Sequence, residues 1–117
     1  MLLMNLYLNF NGNTEDAFNF YKSIFGGEFT AFVRFKNTPE ADRVPENEKD
    51  KIMHVSLPIG QRNLLMGTDA LESMGHPLSA GNNFTVHLDT ESEKEVNRLF
   101  DKLSADGIIG MKTQIFF

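Results

Sequence analysis

Residues 3–11 alternate between apolar and polar positions. Leu6, Leu8 and Phe10 fall on one face, and Asn5, Tyr7 and Asn9 on the other. A period of two predicts a strand with one packed face. Gly12-Asn13 breaks the pattern. Asn13 offers an N-cap, and Glu15 and Asp16 suit the positive end of a helix dipole. Ala17, Phe18, Tyr21, Ile24 and Phe25 follow helical spacing, so a helix is predicted that stops at Gly26-Gly27. Residues 28–36 alternate again, with Phe29, Ala31, Val33 and Phe35 against Glu28, Thr30, Phe32 and Arg34. The stretch NTPEADRVPENEKD is polar, carries two prolines and predicts a solvated loop. Residues 51–59 read as a strand, with Met53, Val55 and Leu57 on one side and Ile52, His54 and Ser56 on the other. Gly60-Gln61-Arg62-Asn63 fits a hairpin connection to a partner strand at 63–68.

Gly75, Pro77 and Gly81 mark residues 71–82 as a linker, after which the opening pattern returns. Phe84, Val86 and Leu88 against Asn83, Thr85 and His87 predict a strand at 83–89. Thr90 or Ser92 caps a second helix, with Glu93 or Glu95 three residues on. Val96, Leu99, Phe100 and Leu103 form its apolar stripe. A shift of 78 residues lays Asn5 on Asn83, Glu15 on Glu93, Phe18 on Val96 and Phe25 on Leu103 without a gap. Strand phase, helix start and apolar stripe all agree in this internal echo. The order is therefore β-α-β-β-β, a linker, then β-α and one candidate strand at 110–117.

Composition narrows the class. Eleven Phe and no Trp among 117 residues mean a core built on phenylalanine in a single domain. The absence of cysteine excludes disulfides, thiolate metal sites and cysteine nucleophiles. The net charge is −5, and the basic residues are scattered, which argues against nucleic acid as a partner. No apolar run reaches the length of a membrane span. The start, MLLMNLYLNF, lacks the basic flank of a signal peptide, so a cytoplasmic protein is expected.

The segment YLNFNGNTEDAFNFYKSIFGGEF resembles the glyoxalase/bleomycin-resistance/dioxygenase superfamily, the vicinal oxygen chelate proteins. KIMHVSLPIG and NLLMGTDA look like its PhnB-like branch, also labelled 3-demethylubiquinone methyltransferase-like. The resemblance covers about residues 5–106. It implies an α+β fold of two βαβββ modules whose sheets curve around a cleft, with helices outside. Module one is expected at 1–70, a linker at 71–82 and a partial module two at 83–117. The apolar faces then pack under the helices. Asn5, Tyr7, Asn9, His54, Asn83, Thr85 and His87 are expected to line the cleft and hold a small organic ligand.

Metal-dependent members of the superfamily bind a divalent ion with His, Gln or Glu from the first strand of each module. Those positions fall at Asn5 and Asn83, and a further one falls near Met66 or Gly67. Neutral amides are poor ligands for a transition metal, and neither Met66 nor Gly67 offers a side-chain oxygen. The usual metal site is therefore expected to be absent, and no cofactor is expected. The alternative is a metal-dependent lyase or dioxygenase using a non-standard set such as His54, Asp69 and His87. No catalytic residue is assigned by spacing alone. His76 reads as a solvated loop residue, Asp69 as a turn former and Arg34 as a solvated sheet residue. There is no dinucleotide loop, P-loop or nucleophile elbow. Gly12 alone does not make the Gly-rich turn of a methyl-donor site.

After Ser104 only ADGIIGMKTQIFF remains, room for one strand where a complete second module needs three. Truncation or a shifted reading frame would account for this. An unfinished sheet leaves an unpaired edge, so a homodimer is expected.

Overall fold

In a computed structural model that describes residues 1–75, 77–105 and 107, helix and strand follow the periodicity of the sequence over most of the chain. The chain forms two units, Met1–Ala80 and Gly81–Phe117. The first unit contains β1 (Leu6–Phe10), α1 (Thr14–Phe25), β2 (Ala31–Arg34), β3 (Ile52–Ile59) and β4 (Asn63–Asp69). This is one β-α-β-β-β module in a mixed α+β fold. The sheet order is β1-β4-β3-β2, with β1 parallel to β4 and the other pairs antiparallel. Among the described residues strand β1 is thus an edge, and its partner is the last strand of the module.

The core forms where α1 lies on the sheet. Phe18, Val55 and Leu57 are fully buried, Ile52 nearly so, and Phe10, Tyr21, Phe29, Phe32 and Leu65 pack around them. The Phe18 ring meets Phe10 and Tyr21 edge to face, a favoured aromatic geometry. It lies directly over Gly67 of β4, where a Cβ would come within 2.6 Å of Phe18 Cε1. Gly67 faces Val55 across the ladder. Glycine is required there because the ring occupies the space of a side chain.

The helix stops as expected at Gly26, with φ of 77°, and its N–H bonds to the Lys22 carbonyl. Its start departs from expectation. Asn13 holds the N-cap position but makes no side-chain cap bond. The carboxylate of Asp69 serves instead, arriving from the end of β4. On the same side of the sheet, Arg34 grips Glu15 through two bonds of 2.8 and 3.1 Å and also donates to the Asp50 carbonyl. Arg34, expected to be solvated, is therefore a clamp between β2 and α1.

Three further expectations are corrected. Residues 51–59 do not alternate cleanly. Val33 pairs with His54 but Arg34 pairs with Ile52, so Met53 is an extra residue in β3. This β-bulge turns Ile52 onto the core face with Val55 and Leu57. Strand β2 also ends early, and Phe35–Asn37 is a 3-10 turn. The polar stretch after it is not simply solvated. It forms further turns at Ala41–Arg43 and Glu46–Glu48. Val44 closes a small second core with Phe35 and Leu71, against which Met53 packs. Glu48 is also buried, and its Oε1 has no hydrogen-bond partner among the described residues.

The second unit contains α2 (Glu93–Ser104). Ser92 caps it by accepting from the Glu95 N–H. The Glu95 carboxylate bonds Arg98 one turn on instead of closing a capping box. Residues 83–89 form no strand, and Phe84, Val86 and Leu88 are exposed. Alternation supplies a face for a strand but not its hydrogen bonds, and no paired segment accompanies this one among the described residues. The candidate strand at 110–117 and His76 lie outside the described residues.

Two outcomes test this packing. Gly67→Ala is expected to lower stability by about 1–3 kcal/mol in urea denaturation, the usual cost of overpacking, because the buried Phe18 ring has nowhere to yield. Glu15→Gln tests the clamp. The Arg34 guanidinium holds the Glu15 carboxyl below its usual value of 4.5. A group lowered by folding stabilises above its unfolded value and loses that contribution as pH falls through the native one. Wild type should therefore exceed the variant at pH 7, and the gap should close in acid. Both side chains keep solvent access, so the gap at pH 7 is expected to be about 1 kcal/mol or less.

Candidate functional site

Alternation and register decide what each face of the four-stranded sheet presents. The face under α1 carries Phe10, Phe32, Arg34, Leu65 and Asp69. The opposite face carries Tyr7 and Asn9 from β1, Met66 and Thr68 from β4, His54 and Ser56 from β3, and Ala31 and Val33 from β2. The register sets Tyr7 beside Met66, Met66 beside Ser56, Ser56 beside Ala31, and Asn9 beside Thr68.

Two of these side chains meet. The Tyr7 hydroxyl lies 3.1 Å from His54 Nδ1, a hydrogen bond between strands β1 and β3 across the intervening β4. Their rings sit 5.7 Å apart, tilted by 36°. Tyr7 is 44% exposed and His54 half-buried. Partial burial raises the Tyr7 hydroxyl above its ordinary value of 10.0, and a hydrogen bond with Thr68 opposes that rise. The phenol therefore keeps its proton at neutral pH. Thr68 also donates to the Ile52 carbonyl at 3.3 Å.

The expected cleft residues separate into three groups. Tyr7, Asn9 and His54 share the open face, as the alternation implied. Asn5 is engaged structurally, because its side-chain oxygen accepts from the Leu64 N–H at 3.0 Å and extends the β1–β4 pairing. Asn83, Thr85 and His87 lie in the second unit on residues without strand structure, all exposed, with His87 Nε2 3.1 Å from an Asp89 carboxylate oxygen. Thr68 is not singled out by the sequence, and Met66 enters it only as a possible metal-ligand position. The signal was present in β4, where positions 64, 66 and 68 alternate against Leu65, Gly67 and Asp69.

Asp69 is withdrawn from any chemistry. It is 3% exposed. Its Oδ1 accepts from the Thr14 N–H at 3.1 Å and the Thr14 hydroxyl at 2.6 Å, and its Oδ2 accepts from the Ile52 N–H at 2.8 Å. It lies on the helix side of the sheet, whereas His54 lies on the other, so the two do not converge on one ion. No group of three or more His, Cys, Asp or Glu side chains among the described residues is placed to hold a metal. At the positions the superfamily uses, Asn5 has its oxygen committed and Met66 and Gly67 offer none. The donor set does not fit a divalent ion. A separate depression of about 380 Å³ opens beyond the ends of β1 and β4, lined by Asn11, Leu71, Glu72, Pro77 and Leu78 among others. Among the described residues its lining has one carboxylate and neither imidazole nor phenol.

The family described as 3-demethylubiquinone-9 3-methyltransferase matches residues 4–115. Protein YjdN of Escherichia coli is 31% identical over 115 residues, covering 95% of this chain and 78% of that protein. The crystal structure of protein PA1353 from Pseudomonas aeruginosa superposes with a TM-score of 0.75 at 34% identity, over 89% of this chain and 73% of that one. A PhnB protein from Bacillus cereus has the same fold at 24% identity, with a TM-score of 0.71 over 95% of this chain and 80% of its own.

The structural role of Asp69 can be tested directly. In Asp69→Asn, the amide must turn its own N–H groups toward a donor that an oxygen faces in the wild type. Stability is expected to fall by about 1–3 kcal/mol, read by thermal and urea unfolding.

Proposed function

The chain belongs to the 3-demethylubiquinone-9 3-methyltransferase family, the PhnB-like branch of the glyoxalase/bleomycin-resistance/dioxygenase superfamily, and from that premise we propose that it binds a small organic molecule on the sheet face carrying Tyr7, Asn9 and His54. The observation that supports this most is the Tyr7–His54 hydrogen bond. It sets a phenol and an imidazole side by side on a face that α1 leaves open, with apolar Val33 and Met66 on neighbouring strands. A few polar groups set among apolar ones is the usual make-up of a small-molecule site.

The side chains at the superfamily's ligand positions in the first unit do not fit a metal. The reading also proceeds without the methyl donor that the family description implies. Such a donor wants a Gly-rich turn after the first strand of a parallel sheet. Here that turn is Asn11-Gly12-Asn13 in a mixed sheet. The first helical N–H is already taken by Asp69, so the anion site that a helix start often supplies is filled from within.

The protein is further proposed to act as a homodimer. Strand β1 has one edge without a partner strand among the described residues, and Met1, Leu2 and Met4 before it are at least 90% exposed. An open edge beside apolar side chains is a pairing surface.

A fragment screen by ligand-observed NMR, followed by protein amide shifts, tests the site. Hits are expected to shift the amides of Tyr7, Asn9 and His54, and His54→Ala should weaken them about tenfold or more, the value of a well-placed polar contact. Hits that ignore this face would overturn the assignment. In the same preparation, light scattering should read the mass of a dimer.

A further inference from the structure

The open sheet face carries no Asp, Glu, Lys or Arg on any of its four strands. The charged side chains of these strands lie on the other side, where Arg34 and Asp69 are spent on α1. Charge selects ligands of opposite charge. An anion brought onto a surface without a cation loses hydration and gains no ion pair, and the same holds for a cation without a carboxylate. The face as built therefore favours an uncharged molecule.

The Tyr7–His54 contact sets the direction of hydrogen bonding. The Tyr7 hydroxyl faces Nδ1 at 3.1 Å, a contact in which a phenol can donate to an unprotonated Nδ1. A neutral imidazole accepting at Nδ1 carries its proton on Nε2. His54 Nε2 makes no hydrogen bond among the described residues, and it is not sealed from solvent. In that tautomer the face offers an unused N–H donor beside two aromatic rings 5.7 Å apart. A planar molecule can lie against such rings while its oxygen accepts from the donor.

We propose that the ligand is an uncharged planar molecule presenting a carbonyl or phenolic oxygen, that His54 Nε2–H is the group that recognises it, and that Tyr7 is a positioning residue that fixes the His54 tautomer. The inference rests on the ligand-binding reading above and narrows its chemical class.

Three probes of similar size separate the possibilities: acetophenone, benzoate and benzylammonium, titrated into 15N-labelled full-length protein. The expected result is saturable movement of the His54 side-chain nitrogens by acetophenone, at about tenfold or more higher affinity than either ion. Without ligand, the His54 nitrogen shifts should report the Nε2-protonated form. Tyr7→Phe should leave the amide spectrum folded, mix the two tautomers and weaken acetophenone by about three- to tenfold, the value of one neutral hydrogen bond. Tighter binding of benzoate or benzylammonium overturns the charge class and leaves the site standing. A predominantly Nδ1-protonated His54 overturns the role of Tyr7. If none of the three probes moves any resonance on this face, the proposal fails together with the site reading beneath it.

Discussion

The Asp69 carboxylate joins three elements that are distant in sequence. It ends β4, caps α1 through the Thr14 N–H and hydroxyl, and receives the Ile52 N–H at the start of β3. Phe10 pairs with it across the parallel ladder, and Ala70 donates back to the Phe10 carbonyl. Hydrogen bonds to a charged acceptor are worth roughly 1.5–3 kcal/mol each. These also lie at the positive end of a helix dipole. Buried at 3% exposure, the carboxylate would be costly without them. The module closes where this one side chain finds all its donors, and the orientation of α1 on the sheet follows from it.

That orientation divides the sheet. With α1 held at Thr14 and clamped at Glu15, the Phe18 ring settles on the bare backbone of Gly67. Core, ion pair and capping carboxylate all sit on that side. The other side keeps the uncharged residues, with Tyr7 and His54 in contact. The same allocation explains why familiar modes of chemistry do not fit. The helix start is filled by the protein's own anion, and the buried acid points away from the imidazole. The histidine is paired with a phenol instead of a carboxylate.

Much of this was legible from local pattern. The β1 alternation, the Phe18-Tyr21-Ile24 stripe and the Gly26-Gly27 stop each report a local constraint that tertiary structure respected. The open-face position of Tyr7, Asn9 and His54 follows from the same period of two. What pattern could not give was anything set by a partner far along the chain. Asp69 read as a turn former because its three donors come from other elements. Asn13 read as the cap because proximity in sequence hid a better acceptor 55 residues away. Residues 83–89 carry the alternation of a strand, but a strand exists only with its ladder, and no single segment encodes that. Arg34 looked solvated until α1 placed Glu15 over it.

The β3 bulge is the clearest case of information that periodicity erases, and it bears on the site. Three consecutive residues there go to three destinations. Ile52 enters the Phe18 core, Met53 packs on the Phe35–Val44–Leu71 cluster, and His54 emerges on the open face. A regular strand would have put Ile52 and His54 on one side, which is what the sequence alternation implied. The extra residue allows one strand to be anchored in two cores at once. It fixes the backbone immediately before His54 by apolar burial and by the Asp69 bond to the Ile52 N–H. An imidazole carried on so constrained a segment, and held at Nδ1 by Tyr7, has little orientational freedom left to lose on binding. The buried carboxylate on one face of the sheet thus helps to preorganise the histidine on the other.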